Sequence, residues 1–188
     1  QILAIGCSNQ KIDPLLEGDA KCSPPCWISI MPGFTTKLEA DDIVFNLEGK
    51  QNYSSSENDI YVKYAGKNIH IYSNDVNQII DGIDFDLNNI PLEQLIDKFG
   101  EPEYLSIILD QGCTFIIYYP DKGVHFLGRC KDSLLEIGWA ISASSTMTRA
   151  FFTKSALEIN ELLVLFFNET NTEMMDAIIL WKGYGTYQ

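Results

Sequence analysis

Five cysteines, at positions 7, 22, 26, 113 and 130, offer the most chemistry in this chain of 188 residues. Cys22-Ser23-Pro24-Pro25-Cys26 spaces two thiols around a rigid Pro-Pro. A zinc half-site of this kind needs two further ligands at suitable spacing, but His70, His125, Cys113 and Cys130 are scattered singly. A thioredoxin-type redox centre uses two intervening residues and a following helix, and this loop has three. Cys22 and Cys26 therefore read as a local structural disulfide. Cys113 and Cys130 flank a hairpin with Tyr119-Pro120-Asp121-Lys122-Gly123 at its tip. With Asp121 and Lys122 as the turn, Tyr119 faces Val124, Phe115 faces Gly128, and Cys113 faces Cys130. Cross-strand partners lie close enough for a disulfide, and closing a loop of this size stabilises a fold by about 3 kcal/mol in the chain-entropy model. Two internal bridges leave Cys7 as the odd cysteine.

Acid–base chemistry has weaker candidates. His70 and His125 each alternate with apolar residues on strand-like segments. A general base needs a nucleophile or carboxylate within hydrogen-bond reach, and the simpler expectation puts both imidazoles on the solvent face. The nucleophile-elbow, zinc-protease and phosphate-loop motifs are absent. Asp84-Phe85-Asp86-Leu87-Asn88 starts like a calcium loop, but Asn89 replaces its glycine and Leu95 its closing glutamate. Asp41-Asp42 falls early in a predicted helix, where the dipole favours negative charge. Asn52 and Asn168 head glycosylation sequons, meaningful where the source glycosylates exported proteins. No catalytic, cofactor-binding or metal-binding residue is assigned, and the expected function is non-enzymatic.

The elements that must position these residues announce themselves twice. Thr36 and Glu39 form a capping box, after which Ala40, Ile43, Val44 and Leu47 make one apolar helical stripe before Gly49. Pro91 opens a second helix, where Leu92, Leu95, Ile96 and Phe99 repeat that spacing before Gly100. Strand-like runs follow each helix: 60–64, 69–72 and 79–87 after the first, then 104–109, 113–119 and 124–127 after the second. The polar, serine-rich stretch 49–59 reads as a mobile loop. Ser155 and Glu158 open a third helix with Ile159, Leu162, Leu163 and Phe166 on one face. The tail Trp181-Lys182-Gly183-Tyr184-Gly185-Thr186-Tyr187 reads as an aromatic strap over the core, the alternative being a carbohydrate platform.

Composition bounds the partners. Hydrophobic residues make up 46% of the chain, which argues against disorder. Twenty-six acids against thirteen bases give a formal charge of −13, which disfavours nucleic acid and anionic lipid. No apolar run is long enough to span a membrane.

Resemblances to known sequences suggest a cell address. Leu3-Ala4-Ile5-Gly6-Cys7, followed by Ser8-Asn9-Gln10, resembles the end of a bacterial lipoprotein signal peptide. It implies Cys7 as the lipidated residue, carrying a covalent diacylglycerol or acyl group. The alternative is an apolar strand over 2–5 that pairs with a sheet edge. Pro32-Gly33-Phe34-Thr35 and Phe99-Gly100-Glu101-Pro102 are similar to the opening and ending of the helix in the SmpA/OmlA (BamE) type of outer-envelope lipoprotein. They also resemble the tandem modules of the β-lactamase-inhibitor-protein fold. Pro25-Cys26-Trp27, Tyr119 to Gly123 and the 181–187 tail resemble uncharacterised exported bacterial lipoproteins.

The fold class expected is α+β: two tandem modules of a short amphipathic helix followed by antiparallel strands, with a C-terminal helix and aromatic tail. The division expected is a tether or extended segment over 1–31, a first module over 32–88 and a second over 89–188. The function expected is an extracytoplasmic, lipoprotein-like binding or scaffold protein on the outer face of a bacterial membrane, periplasmic or at the cell surface. Its partners would be proteins of an envelope or membrane complex, with membrane contact through the lipid anchor only and no nucleic acid. The alternatives are a structural subunit of an extracellular assembly, or an inhibitor of an envelope enzyme.

Overall fold

Runs of β-branched and aromatic residues broken by short turns dominate the chain, and in a computed structural model they assemble one large sheet. The structure describes residues 13–18, 22–73, 78–108, 114–130, 139–156, 161 and 178–187. In chain order the elements are α1 (Pro14–Glu17), α2 (Lys37–Phe45), β1 (Gln51–Ser55), β2 (Asp59–Tyr64), β3 (Lys67–Ser73), β4 (Ile80–Pro91), α3 (Leu92–Phe99), β5 (Tyr104–Ile108) and β6 (Thr114–Tyr119). A 3-10 turn (Pro120–Lys122) leads to β7 (Val124–Arg129), β8 (Trp139–Ile141), β9 (Thr146–Thr153), β10 (Ile178–Leu180) and β11 (Gly185–Tyr187). Nine strands form a single sheet in the order β1-β2-β3-β4-β9-β7-β6-β5-β10, and β11 pairs with β8 in a small second sheet. Every pairing is antiparallel.

This architecture corrects the expected α+β arrangement of two tandem helix-then-strand modules. The protein is mostly antiparallel sheet with a few short helices. The cause is β9, which hydrogen-bonds to β4 on one side and β7 on the other and so welds the two runs of strands together. Its sequence, Thr-Met-Thr-Arg-Ala-Phe-Phe-Thr, hides the strand because Phe151 and Phe152 point to opposite faces and are both buried. A strand covered on both faces loses the polar/apolar alternation by which half-buried strands are recognised. The stretch expected as a mobile loop also carries a strand, β1, an exposed polar edge held against β2.

Local physics explains the helices. In α2 the Thr36 hydroxyl accepts from the Glu39 amide at 3.2 Å, and the Glu39 carboxylate accepts from the Thr36 amide at 2.9 Å. That reciprocal bonding holds the carboxyl of Glu39 below its usual pKa. Ala40 and Val44 are fully buried, with Ile43 and Leu47 packed against the same core. In α3 Leu92 and Leu95 are buried and Ile96 and Phe99 lean on the core. No side chain caps α3, so backbone carbonyls serve: the Leu92 amide donates to Ser145 at 2.8 Å and the Glu93 amide to Ala143 at 3.0 Å.

One face of the sheet holds the main core, including Ile60, Val62, Ile71, Phe85, Phe126, Phe152, Ile117 and Leu105. The segment ahead of α2 closes over it through Leu15, Leu16, Trp27 and Ile30. Residues from Asp13 to Ile30 that the structure describes are thus core-forming, while 1–12 lie outside the described residues. The predicted third helix also lies almost wholly outside them. The aromatic tail behaves as a strap: Tyr187 is buried and Trp181 packs against the core.

Between β6 and β7 the predicted register holds, with Tyr119 opposite Val124 and Phe115 opposite Gly128. The turn itself is a 3-10 turn closed by Gly123 in the left-handed conformation (φ 61°). At Gly128 a Cβ would meet the Met147 sulfur at 2.6 Å and the Phe115 ring at 2.9 Å. Gly128→Ala therefore overpacks the β7–β9 seam and should cost about 1–3 kcal/mol, read as a lowered midpoint in urea unfolding.

Candidate functional site

The face of the sheet opposite the main core carries a row of aromatic and charged side chains across β2, β3, β4 and β9. Alternation along Asp59-Ile60-Tyr61 and Asn68-Ile69-His70-Ile71-Tyr72 sends the isoleucines inward and Asp59, Tyr61, His70 and Tyr72 to this second face. The register fixes their order: Tyr61 pairs with His70, and His70 with Asp84. Ala65 and Gly66, at φ 49° and 79°, make the tight turn that sets this register.

His70 and Tyr61 stack face to face at 4.3 Å with planes 5° apart, and the Tyr72 ring lies tilted to the imidazole at 5.3 Å. His70 Nε2 lies 2.7 Å from Asp59 Oδ1, so carboxylate and two rings fix the imidazole. Beside them Arg149 grips Asp84 with two guanidinium nitrogens, Nε at 3.1 Å from Oδ1 and a terminal nitrogen on Oδ2. The guanidinium also lies 5.4 Å from the centre of the Phe151 ring. Burial lowers the pKa of Arg149, and burial, followed by the charge of Asp81, raises that of Tyr72. The glycine opposite Tyr72, Gly82, leaves room for the tyrosine ring, which a Cβ there would overlap.

The result is an aromatic and charged face whose polar groups bond one another. The Arg149–Asp84 fork satisfies its own charges, and the 2.7 Å contact with Asp59 occupies the outer imidazole nitrogen. Asp84 and Asp86, read in sequence as the start of a calcium-like loop, lie within β4, where Arg149 and Asn68 take their carboxylates.

His125 corrects the expectation that both histidines face solvent. It is fully buried, its Nε2 3.0 Å from Thr153 Oγ1. Both faces of β7 are covered at this point, so alternation alone could not assign its side. Burial depresses its pKa to about 3.

A second concavity of about 270 Å³ lies where the N-terminal segment meets the β2–β3 turn. Trp27, Tyr64, Leu15 and the Cys22–Cys26 disulfide line it, and the two rings meet edge to face at 6.1 Å. Nearby, Lys67 Nζ and Asp13 Oδ2 form a buried ion pair at 2.5 Å, and Asp13 also caps α1. The Cys22–Cys26 disulfide is formed as expected, and Cys130 is disulfide-bonded. Cys113, its predicted partner, and Cys7, the predicted lipidation site, lie outside the described residues, as does Asn168. Asn52 is exposed on β1.

Sequence reasoning missed Asp59, Tyr61 and Arg149. Treating Ala65-Gly66 as the whole two-residue turn would have placed Tyr61 opposite His70; Arg149 sits on the unrecognised β9. No protein-family model, curated protein or solved structure matches the chain.

The buried imidazole gives stability a defined pH dependence. Because the folded pKa of His125 lies below its ordinary value of 6.5, the unfolded chain takes up the proton first as pH falls. The stability His125 contributes is complete above 6.5 and is lost between there and about 3. A His125→Phe variant should lose less stability than the native chain over that interval when both are unfolded in urea at stepped pH.

Proposed function

We propose that this protein is a non-enzymatic, extracytoplasmic binding or scaffold protein, tethered through Cys7 to the outer face of a bacterial membrane, that accompanies an envelope protein or membrane complex. The observation that carries the address is the Cys22–Cys26 disulfide, buried beside Trp27 within the core-forming N-terminal segment. Structural disulfides belong to oxidising compartments, and the bonded state of Cys130 adds a second bridge. Cys113 is the partner we assign to Cys130, on the expected pairing of the hairpin, whose described register ends at Thr114 opposite Arg129. On that assignment Cys7 is the odd cysteine, in keeping with the resemblance of Leu3 to Cys7 to a lipoprotein processing site.

A binding role draws support from the histidines. His125 is sealed in the interior, and His70 is held by a stacked tyrosine, a second tyrosine ring and a carboxylate. Both are arranged to hold structure, and the aromatic face around His70 offers contact area.

Intact-mass analysis of the native protein, with and without reductant, tests this reading. A mature chain that begins at acylated Cys7 and gains four protons on reduction is the expected result. A chain carrying no lipid on Cys7 would remove the tether. Peptide mapping that joined Cys130 to Cys7 would overturn the disulfide assignment.

A further inference from the structure

The outward face of α2 carries large apolar side chains that the fold leaves uncovered. Leu38 is 71% exposed and Phe45 61%, and Phe34, in the turn leading into the helix, is 70% exposed. Seven residues separate Leu38 from Phe45, two turns of helix, so they share one side, opposite Ala40 and Val44 in the core. Asp42 lies between them at the i+4 position from Leu38 and is exposed, as are Glu39 and Glu48 beside the row. Met31, at the start of the turn, adds a further exposed apolar side chain. Isolated exposed apolar residues need no explanation, but apolar side chains grouped on one helix face and rimmed by polar residues are the mark of an interaction site.

The charges choose the occupant. Lys37, the only cation within α2, is buried and turned to Ser55 at 2.9 Å and Asp41 at 3.7 Å, so it does not offset the acids outside. Asp41 in turn accepts from Tyr53 at 2.5 Å and Ser55 at 3.1 Å, which pins the helix to β1. Lys50 sits 5.4 Å from the centre of the Phe45 ring, so this ring already faces a cation. A second copy of a chain with a formal charge of −13 would bring like charges together here. We propose that the α2 face docks a basic amphipathic helical segment of a partner protein, its apolar residues seated on Phe34, Leu38 and Phe45 and a lysine or arginine set against Asp42. This deepens the binding role proposed above and rests on it, although its test reads a different quantity: an unlipidated Cys7 removes the tether and leaves the docking face standing.

The probe is a fluorescently labelled Leu/Lys amphipathic helical peptide, titrated by anisotropy against the full chain beside a Leu/Glu peptide of the same pattern. Leu38→Ser and Phe34→Ser should each weaken Leu/Lys binding about five- to tenfold with the unfolding midpoint unchanged, since both residues are exposed. Phe45 is left intact because it packs edge to face on Tyr53 at 5.9 Å. Asp42→Asn should weaken binding and flatten its salt dependence without touching an apolar contact. Equal binding to native and variant chains would reduce the interaction to bulk charge and overturn the proposal, as would equal affinity for the Leu/Glu peptide. Concentration-dependent dimerisation abolished by Leu38→Ser, seen by sedimentation velocity, would assign the face to a second copy. Binding to neutral phosphatidylcholine vesicles abolished by the same change would assign it to a lipid surface. Either result overturns the proposal.

Discussion

The structure depends on the two hydrogen-bonded edges of β9. Its backbone pairs with β4 from Gly82 to Pro91 and with β7 from Val124 to Arg129, both ladders breaking register at Thr148, so each of its edges is joined to a neighbour. Without it, β4 and β7 would each present an unpaired edge in the middle of the molecule, where buried amides and carbonyls are costly. Side chains reinforce the seam: Phe152 meets Phe85 edge to face at 4.9 Å on the core side, and Arg149 clamps Asp84 on the other. The core and the aromatic charged face are thus aligned by the same backbone ladder, so a slip in that register would disturb both.

The N-terminal segment applies a different constraint, fixing position more than adding energy. A buried ion pair such as Asp13–Lys67 gains little over apolar packing once desolvation is counted, but breaking it strands a charge. It therefore specifies where the chain crosses the end of β3. The Cys22–Cys26 bridge closes too short a loop to restrict the unfolded chain greatly. Its effect is local: Cys22 Sγ accepts from the Ser29 amide at 3.1 Å, and the adjoining Trp27 and Ile30 pair through a mutual backbone bridge that seats both in the core.

How much of this was legible follows from where burial is one-sided. The Thr36–Glu39 box, the α3 stripe from Leu92 to Phe99 and strands β2 to β7 could be read because each has one wet face or a turn that fixes its register. The α2 stripe could be read too, but its outer face was overlooked because Leu38 and Phe45 add apolar residues where a surface helix should be polar. β9 and His125 were opaque for the opposite reason. Covered on both sides at His125 and over the last four residues of β9, they leave no periodicity to read there, and only knowledge of which strands sandwich them assigns their direction. Of the aromatic charged face, His70 was visible as a residue, but its companions come from β2, β4 and β9, and their meeting is a property of sheet order.

Sheet order also decides how the charge is displayed. Thirteen bases face twenty-six acids, and several of those bases are spent inside the fold. Lys37 and Lys67 are buried against Asp41 and Asp13, and Arg149 is committed to Asp84. Each such pairing neutralises an acid as well, so the net charge is unchanged and the remaining acids still outnumber the remaining bases. Lys98, Lys122, Lys154 and Lys182 stay exposed, so the surface is mixed in sign with acid in excess. Long-range attraction would then favour a basic partner, and the exposed apolar side chains would determine where it stops. Steering and seating are separate tasks in association, and the docking proposed for α2 gives them to different groups.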